Sequence, residues 1–291
     1  MSVILVASSE PRIGRSLIAA AIAYRIGRDG KPVTLARLDG DESAAADAAA
    51  FAALEGIVTS GKPVTAEAAA KLKGDLVLEA PAGSVKALAE SLKARVVVVG
   101  SPTSSPTDAP ASAIAGIIVT RVVASDVGAV GSRAGVIAVL PEDRILAAPS
   151  VSDVASALNA RWLAGEGDRG SFDRVMIGTV SSDAASPYFG NRERTCIVTR
   201  YDKTDVQLAA LQTDIECLVM TGGGEPSPYL LDRVRSTRDA VAVLLAPGST
   251  VETMRAIEGL YALSRFEGNG KLARAVELLD EAGAPVDFAA S

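Results

Sequence analysis

The stretch Val3–Ile26, VILVASSEPRIGRSLIAAAIAYRI, decides how the rest of the chain is read. Val3 to Ala7 are small or apolar throughout, which suits a short strand buried on both faces. A polar loop, Ser8-Ser9-Glu10-Pro11-Arg12-Ile13, leads into Gly14-Arg15-Ser16. Leu17, Ile18, Ala21, Ile22 and Ile26 then recur at helical spacing, so one helix face can pack on a sheet. Strand, loop and a Gly-basic-Ser helix start make the layout of a phosphate-binding loop, where unpaired N–H groups face an anion. The usual spacing is Gly, four residues, then Gly-Lys-Ser or Gly-Lys-Thr. Here Ser9 stands at the first glycine and Arg15 at the lysine. Ser9, Glu10, Arg12, Gly14, Arg15 and Ser16 are the candidate ligand-binding residues of an altered loop.

Composition narrows the classes. A chain of 291 residues has room for two domains. Hydrophobic residues make up 48% and aromatic residues only 4%, a balance that suits close-packed α/β layers better than a β-sandwich. The net charge of −6 provides no basic face for nucleic acid, so none is expected as a partner. With no histidine, histidine triads and imidazole metal ligands are excluded. Cys196 and Cys217 are too few for a disulfide framework or a zinc site. The N-terminus enters a core strand directly, and no apolar run approaches the ~20 residues needed to span a bilayer. A cytoplasmic protein with no membrane partner is expected.

Further apolar runs follow at Val33–Leu38, Asp75–Glu79, Val96–Gly100, Ile114–Thr120 and Val136–Leu140, with alanine-rich or amphipathic helices between several of them. Alternating strands and helices predict a doubly wound, mostly parallel α/β sheet with right-handed crossovers. Two connections are thin: Ser101–Ala113 is proline-rich, and Val123–Ala134 is rich in Gly, Ala and Ser. Asp39, Asp41, Glu42 and Asp47 cluster where the second strand ends. Ligands of such sheets sit beyond the carboxyl ends of strands. These acids therefore either help hold Mg²⁺ or form a solvated helix start. Glu79 ends its strand before a Gly/Pro turn, at a place suited to a metal-binding carboxylate.

The segments SSEPRIGRS, DLVLEAPAG and VVVVGSP resemble the dethiobiotin synthetase and cobyrinic acid a,c-diamide synthase group of P-loop ATPases. That resemblance implies an ATP or ADP site, or one for another phosphoanion, with Mg²⁺ held by Ser16, Asp41 and Glu79. Several positions depart from the group. Arg15 replaces the lysine between the β- and γ-phosphates, Arg37 replaces a lysine after the second strand, and Thr120 stands at the purine-reading Asn. Arginine is planar, longer and permanently charged, so it cannot occupy lysine's point between the phosphates. Retained anion binding and a structural remnant both remain open, and fast ATP chemistry is not expected.

Leu140-Pro141-Glu142-Asp143 closes a first domain, 1–143. Strands are expected at Arg174–Val180, Thr195–Thr199, Glu216–Met220 and Val241–Ala246. Asp202-Lys203-Thr204, then Thr221-Gly222-Gly223, with PEDRILAAPSV upstream, resemble the DRTGG domain and place it at 144–265. Asp202, Thr204, Gly222 and Gly223 either bind a small anion with free amides or form a helix cap and tight turns. Lys271–Asp280 is an amphipathic helix that packs on a core or on a partner, and Phe288–Ser291 is expected to fray. The pairing of the two domains resembles the amino-terminal regulatory region of long phosphate acetyltransferases. It implies a regulatory, ligand-sensing homodimer that binds a small phosphorylated ligand and acts on a metabolic partner enzyme. The alternatives are an ATP- and Mg²⁺-dependent carboxylate-activating ligase and a scaffold subunit of a larger complex.

Overall fold

The apolar runs become β1 (Val3–Ala7), β2 (Val33–Arg37), β4 (Asp75–Glu79), β5 (Arg95–Gly100), β6 (Ile114–Val122) and β7 (Val136–Pro141), and a two-residue strand, β3 (Val58–Thr59), forms in a stretch whose sequence reads as a loop. They pair in the order β3-β2-β4-β1-β5-β6-β7, and every pair is parallel. The structure, a computed structural model, describes all residues except 1, 29, 84, 105–106, 167–169, 180–188, 190–193, 237–240, 262, 264, 287 and 289–291. The chain divides into two compact units, 1–146 with 266–291, and 147–265.

In the first unit, side chains alternate between two covered faces, as the period of a strand requires. Ile4, Val6, Val97 and Val99 join α1 (Arg15–Arg28) and Phe51 of α2 (Ala44–Ala52) in one core. Leu5, Ala7, Leu78 and Val98 join Ala69 of α3 (Ala66–Ala69) and Ala89 and Leu92 of α4 (Lys86–Leu92) in the other. Both faces being dry explains why these strands read as continuous apolar runs. The thin connections are as short as expected. Among the described residues, β5 to β6 carries only a 3-10 turn at Ala111–Ala113, and β6 to β7 a 3-10 turn at Ala124–Asp126 and a short helix, α5 (Val127–Gly131).

The C-terminal helix, Asn269–Glu281, belongs to this unit, where Leu272, Val276, Leu278 and Leu279 are buried in the same core as α1. Arg25 of α1 anchors it. Its Nε donates to Asp280 Oδ1 at 2.8 Å and its two other nitrogens to the carbonyls of Ala284 and Pro285. Phe288, expected to fray, is 2% exposed in this core. Burying the ring outweighs the freedom of a chain end. The rest of the expected frayed tail, 289–291, lies outside the described residues.

A helical turn, α6 (Arg144–Ala147), follows β7, and α7 (Val151–Ala157) then starts on a capping box. Ser150 Oγ accepts from the Asp153 amide, and Asp153 accepts from Ser150 in return. The second unit has a five-stranded sheet of β8 (Arg161–Ala164), β9 (Arg174–Ile177), β10 (Thr195–Arg200), β11 (Cys217–Thr221) and β12 (Ala242–Leu245). Its order is β8-β12-β11-β10-β9, with β8 antiparallel and the others parallel. The sequence reading missed β8, a half-exposed edge strand with no alternation to mark it. The expected end of β9 at Val180 lies outside the described residues. The helices α8 (Thr204–Ala210) and α9 (Pro228–Ser236) bury Val206, Ala209, Leu230 and Val234 against one face of the sheet. On the other face, α10 (Thr250–Glu258) buries Ile257, and α7 buries Val151 and Val154.

Candidate functional site

The carboxyl ends of β1, β2 and β4 bring the sequence candidates of the first unit together. The loop after β1 folds on itself through Ser8, whose buried hydroxyl donates to the Glu10 carbonyl at 2.8 Å. Arg12 and Gly14 both take left-handed conformations, φ 57° and 92°, and at Gly14 that conformation strongly favours glycine. The Arg121 guanidinium donates to the Arg12 carbonyl and braces the turn. Ser9 and Arg12 lie exposed on the rim, and Glu10 is half-buried.

Arg15 and Ser16 turn inward onto one oxygen. Arg15 Nε donates to Glu79 Oε1 at 2.8 Å and Ser16 Oγ to the same atom at 2.9 Å. Arg15 also lies 3.9 Å from Asp41 Oδ2 and 3.4 Å from the Ser8 hydroxyl. Behind it, Arg37 is fully buried at the end of β2. Its fork reaches Asp41, Asp47 at 3.2 Å, Ser43 at 3.2 Å and the Leu38 carbonyl. Glu79 Oε2 lies 3.6 Å from Arg37 Nε and, buried, accepts no hydrogen bond.

The electrostatics follow from this packing. Burial alone would lower the Arg37 pKa, but Glu79, Asp41 and Asp47 reverse the effect and hold it above its ordinary value. Burial likewise works to raise Asp41. The Ala82 amide, Arg37 and Ser43 outweigh it and hold the carboxyl at about 2. Glu79 goes the other way, since burial pushes its carboxyl up against the pull of Arg15 and Arg37.

Ser16, Asp41 and Glu79, the expected Mg²⁺ ligands, do come together, but with two guanidiniums among them. Mg²⁺ needs oxygen ligands in octahedral array and a negative field. Here Glu79 Oε1 is already shared between Arg15 and Ser16, and Asp41 is held by Arg37, Ser43 and the Ala82 amide. Among the described residues no group of three or more Asp, Glu or Cys side chains is arranged to hold a metal ion. The site does not fit magnesium. Asp41 and Asp47 are instead counter-charges of Arg37. Thr120, expected at the purine, serves the backbone. Its hydroxyl is buried and donates to the Ile13 carbonyl at 2.8 Å.

In the second unit the glycine turn uses its own amides. Gly222 N–H donates to the Gly248 carbonyl at 2.8 Å and Gly223 N–H to that of Ala246 at 3.2 Å. The reading of Gly222 and Gly223 as a free-amide anion cradle is therefore corrected to a tight turn. Their φ values of 93° and 65° strongly favour glycine. A side chain on Gly224 would meet the Tyr201 ring at 2.3 Å. The cap reading changes too, because the residue before α8 is Lys203 and makes no side-chain cap bond. Asp202 instead pairs with Arg200 at 2.9 Å on the surface, and Thr204 opens the helix half-exposed. Sequence reasoning overlooked the Arg37 network and the bracing role of Arg121. An arginine inside the apolar run VTLARL, with acids just beyond it, was the available signal, because a buried charge needs a partner.

Residues 153–260 match the DRTGG domain. A phosphate acetyltransferase of Synechocystis sp. is 24% identical over 183 residues, 57% of this chain and 26% of the relative. The chain thus aligns with about a quarter of that relative's length. Among solved structures, the CBS and DRTGG domains of the regulatory region of Clostridium perfringens pyrophosphatase, complexed with the activator diadenosine tetraphosphate, are 16% identical. That match has a TM-score of 0.36 and covers 43% of this chain and 53% of that one. Chloroplast FtsY of Physcomitrella patens is 18% identical with a TM-score of 0.31, covering 41% and 49%. No helix among the described residues is long and apolar enough to cross a membrane. The chain therefore carries a DRTGG domain within its second unit and is distantly similar to phosphate acetyltransferase.

Proposed function

We propose that this is a cytoplasmic, ligand-sensing regulatory protein, built from a nucleotide-type first domain that has lost its metal centre and a DRTGG domain through which two copies pair. The contact from Arg15 Nε to Glu79 Oε1, 2.8 Å, carries the reading. It puts a guanidinium on the carboxylate that would hold Mg²⁺ in the resembled ATPases. A guanidinium can neutralise phosphate charge, but it cannot activate a bound water or act as a Lewis acid. The similarity to phosphate acetyltransferase supports a partner enzyme in acyl phosphate and CoA metabolism, and a small phosphorylated ligand of the ATP, ADP or acyl phosphate kind.

Calorimetric titration of the whole chain with ATP, ADP, an acyl phosphate and an acyl-CoA, beside an assay of ADP release, tests this reading. Binding of at least one ligand without ADP release is expected. Mg²⁺-dependent ADP release that collapses in Glu79→Ala would contradict it in favour of the ligase. No binding of any ligand would contradict it in favour of a scaffold.

A further inference from the structure

The misfit with magnesium has a chemical consequence for the ligand. A phosphate group at the start of α1 needs counter-charge, and in this site the nearby cations are side chains. Arg15 is one, its side chain 10% exposed. Arg12 is another, exposed and with no ion pair among the described residues. Arg121 stands beside it, bonded to the Arg12 carbonyl. Planar guanidinium forks suit phosphate oxygens and bind them bidentately.

Arg15 now spends its Nε on Glu79. Releasing it would strand a buried carboxylate unless that carboxylate had another partner. Glu79 has one in reserve. Its Oε2 is buried, accepts no hydrogen bond and lies 3.6 Å from Arg37 Nε. The one hydrogen on that Nε now goes to Asp47, so a short movement would pass the bond to Glu79 while Asp47 keeps the Ser43 hydroxyl at 2.6 Å. Ser16 also stays on Oε1. The oxygen without a hydrogen bond therefore marks a site held in one of two arrangements, Arg15 on Glu79 or Arg15 on an incoming anion.

We infer that the first unit takes a diphosphate group free of divalent metal, Arg15 leaving Glu79 to bind it while Glu79 closes onto Arg37. The inference rests on the sensing role proposed above and deepens it by naming the ligand's chemical form. A Mg²⁺ ion bound to the ligand would bring a second cation against Arg15 and Arg37. Magnesium therefore competes with this site instead of completing it.

The test is titration of the whole chain with ADP and with inorganic pyrophosphate, first in EDTA and then in excess Mg²⁺. Binding in EDTA that weakens as Mg²⁺ rises is expected. ADP alone or both ligands giving this result support the inference, and the difference tells whether the nucleoside is also read. Arg15→Ala should lose about tenfold or more in affinity, the worth of a hydrogen bond to a charged group. Arg12→Ala, an exposed change that does not touch the core, should also weaken binding. Arg15→Lys should reverse the sign, binding better with Mg²⁺ than without. Thermal melting of each variant checks that the fold persists. Binding that requires Mg²⁺ would overturn the inference and leave the sensing reading standing. Affinity unchanged in both alanine variants would overturn it as well, as would no binding of either diphosphate in EDTA. In that last case, the acyl phosphate and acyl-CoA titrations decide the sensing reading separately.

Discussion

Arg37 and Glu79 are register partners on the adjacent parallel strands β2 and β4, and Arg37 Nε lies 3.6 Å from Glu79 Oε2. Both side chains are buried, so a charge on either carries a desolvation cost that the other and the groups around them offset. The pair belongs to the framework of the site as much as to ligand chemistry.

Arg37→Met would leave Asp41, Asp47 and Glu79 without their shared cation. Removing one partner of a buried ion network costs about 3–5 kcal/mol, which denaturant unfolding should register as a fall in midpoint. Arg37→Lys should recover only part of it, because the fork that reaches Asp41, Asp47 and Ser43 together is lost. A loss below about 1 kcal/mol in Arg37→Met would show that the carboxylates are not held by Arg37.

Stability should depend on pH through Asp41. Its folded pKa of about 2 lies below its ordinary 3.8. The stabilisation is therefore present above pH 3.8 and lost as pH falls through 2. The full shift would correspond to about 2.4 kcal/mol, and screening of a partly open carboxyl reduces that to about 1 kcal/mol. Glu79, with its raised pKa, works in the opposite sense and loses its burial cost as pH falls. Unfolding followed from pH 5 to pH 2 should show a shallower acid decline in Asp41→Asn than in the parent. Equal slopes would remove Asp41 from the account.

Much of the framework was legible in the sequence, and the reason is physical. Continuous apolar runs such as VILVA and VVVVG leave few options besides a parallel sheet covered on both faces. The carboxylate ending β4 marks the same site as the loop after β1. What stayed hidden was pairing at a distance. Nothing local to Arg15 says that its side chain turns onto Glu79, 64 residues away. Likewise, nothing in TGGG says that its amides are consumed by the Ala246 and Gly248 carbonyls. The acids after β2 were read as metal ligands or as a solvated helix start, because their spacing is the same whether they face a cation, water or Arg37. The strand β8 was missed because it is four residues long at a sheet edge.

The C-terminal helix should be needed for the first unit to fold. Arg25→Ala removes the donor to Asp280 and to the Ala284 and Pro285 carbonyls. Leaving such acceptors unpaired costs about 1–3 kcal/mol each where they are buried. A drop of about 2–3 kcal/mol in unfolding free energy is expected, with hydrogen exchange accelerated in 269–281. Exchange unchanged in that helix would contradict the anchoring role.

Gly223→Ala tests the turn in the second unit. A side chain there must adopt φ near 65° and meets the Pro247 backbone at 3.3 Å. A cost of about 1–2 kcal/mol is expected from the left-handed conformation. Ligand affinity should not change, since the amide already serves the Ala246 carbonyl. A variant of full stability that loses ligand binding would restore the anion-cradle reading of this loop.

The claim at the centre is that the Arg15 guanidinium stands where a metal would bind. Mn²⁺, as a paramagnetic substitute for Mg²⁺, tests it by electron paramagnetic resonance of the free ion in the presence of ADP. The account predicts that adding the protein removes no more free Mn²⁺ than ADP alone does. Depletion of the free signal to one Mn²⁺ per chain, abolished by Glu79→Gln, would contradict it.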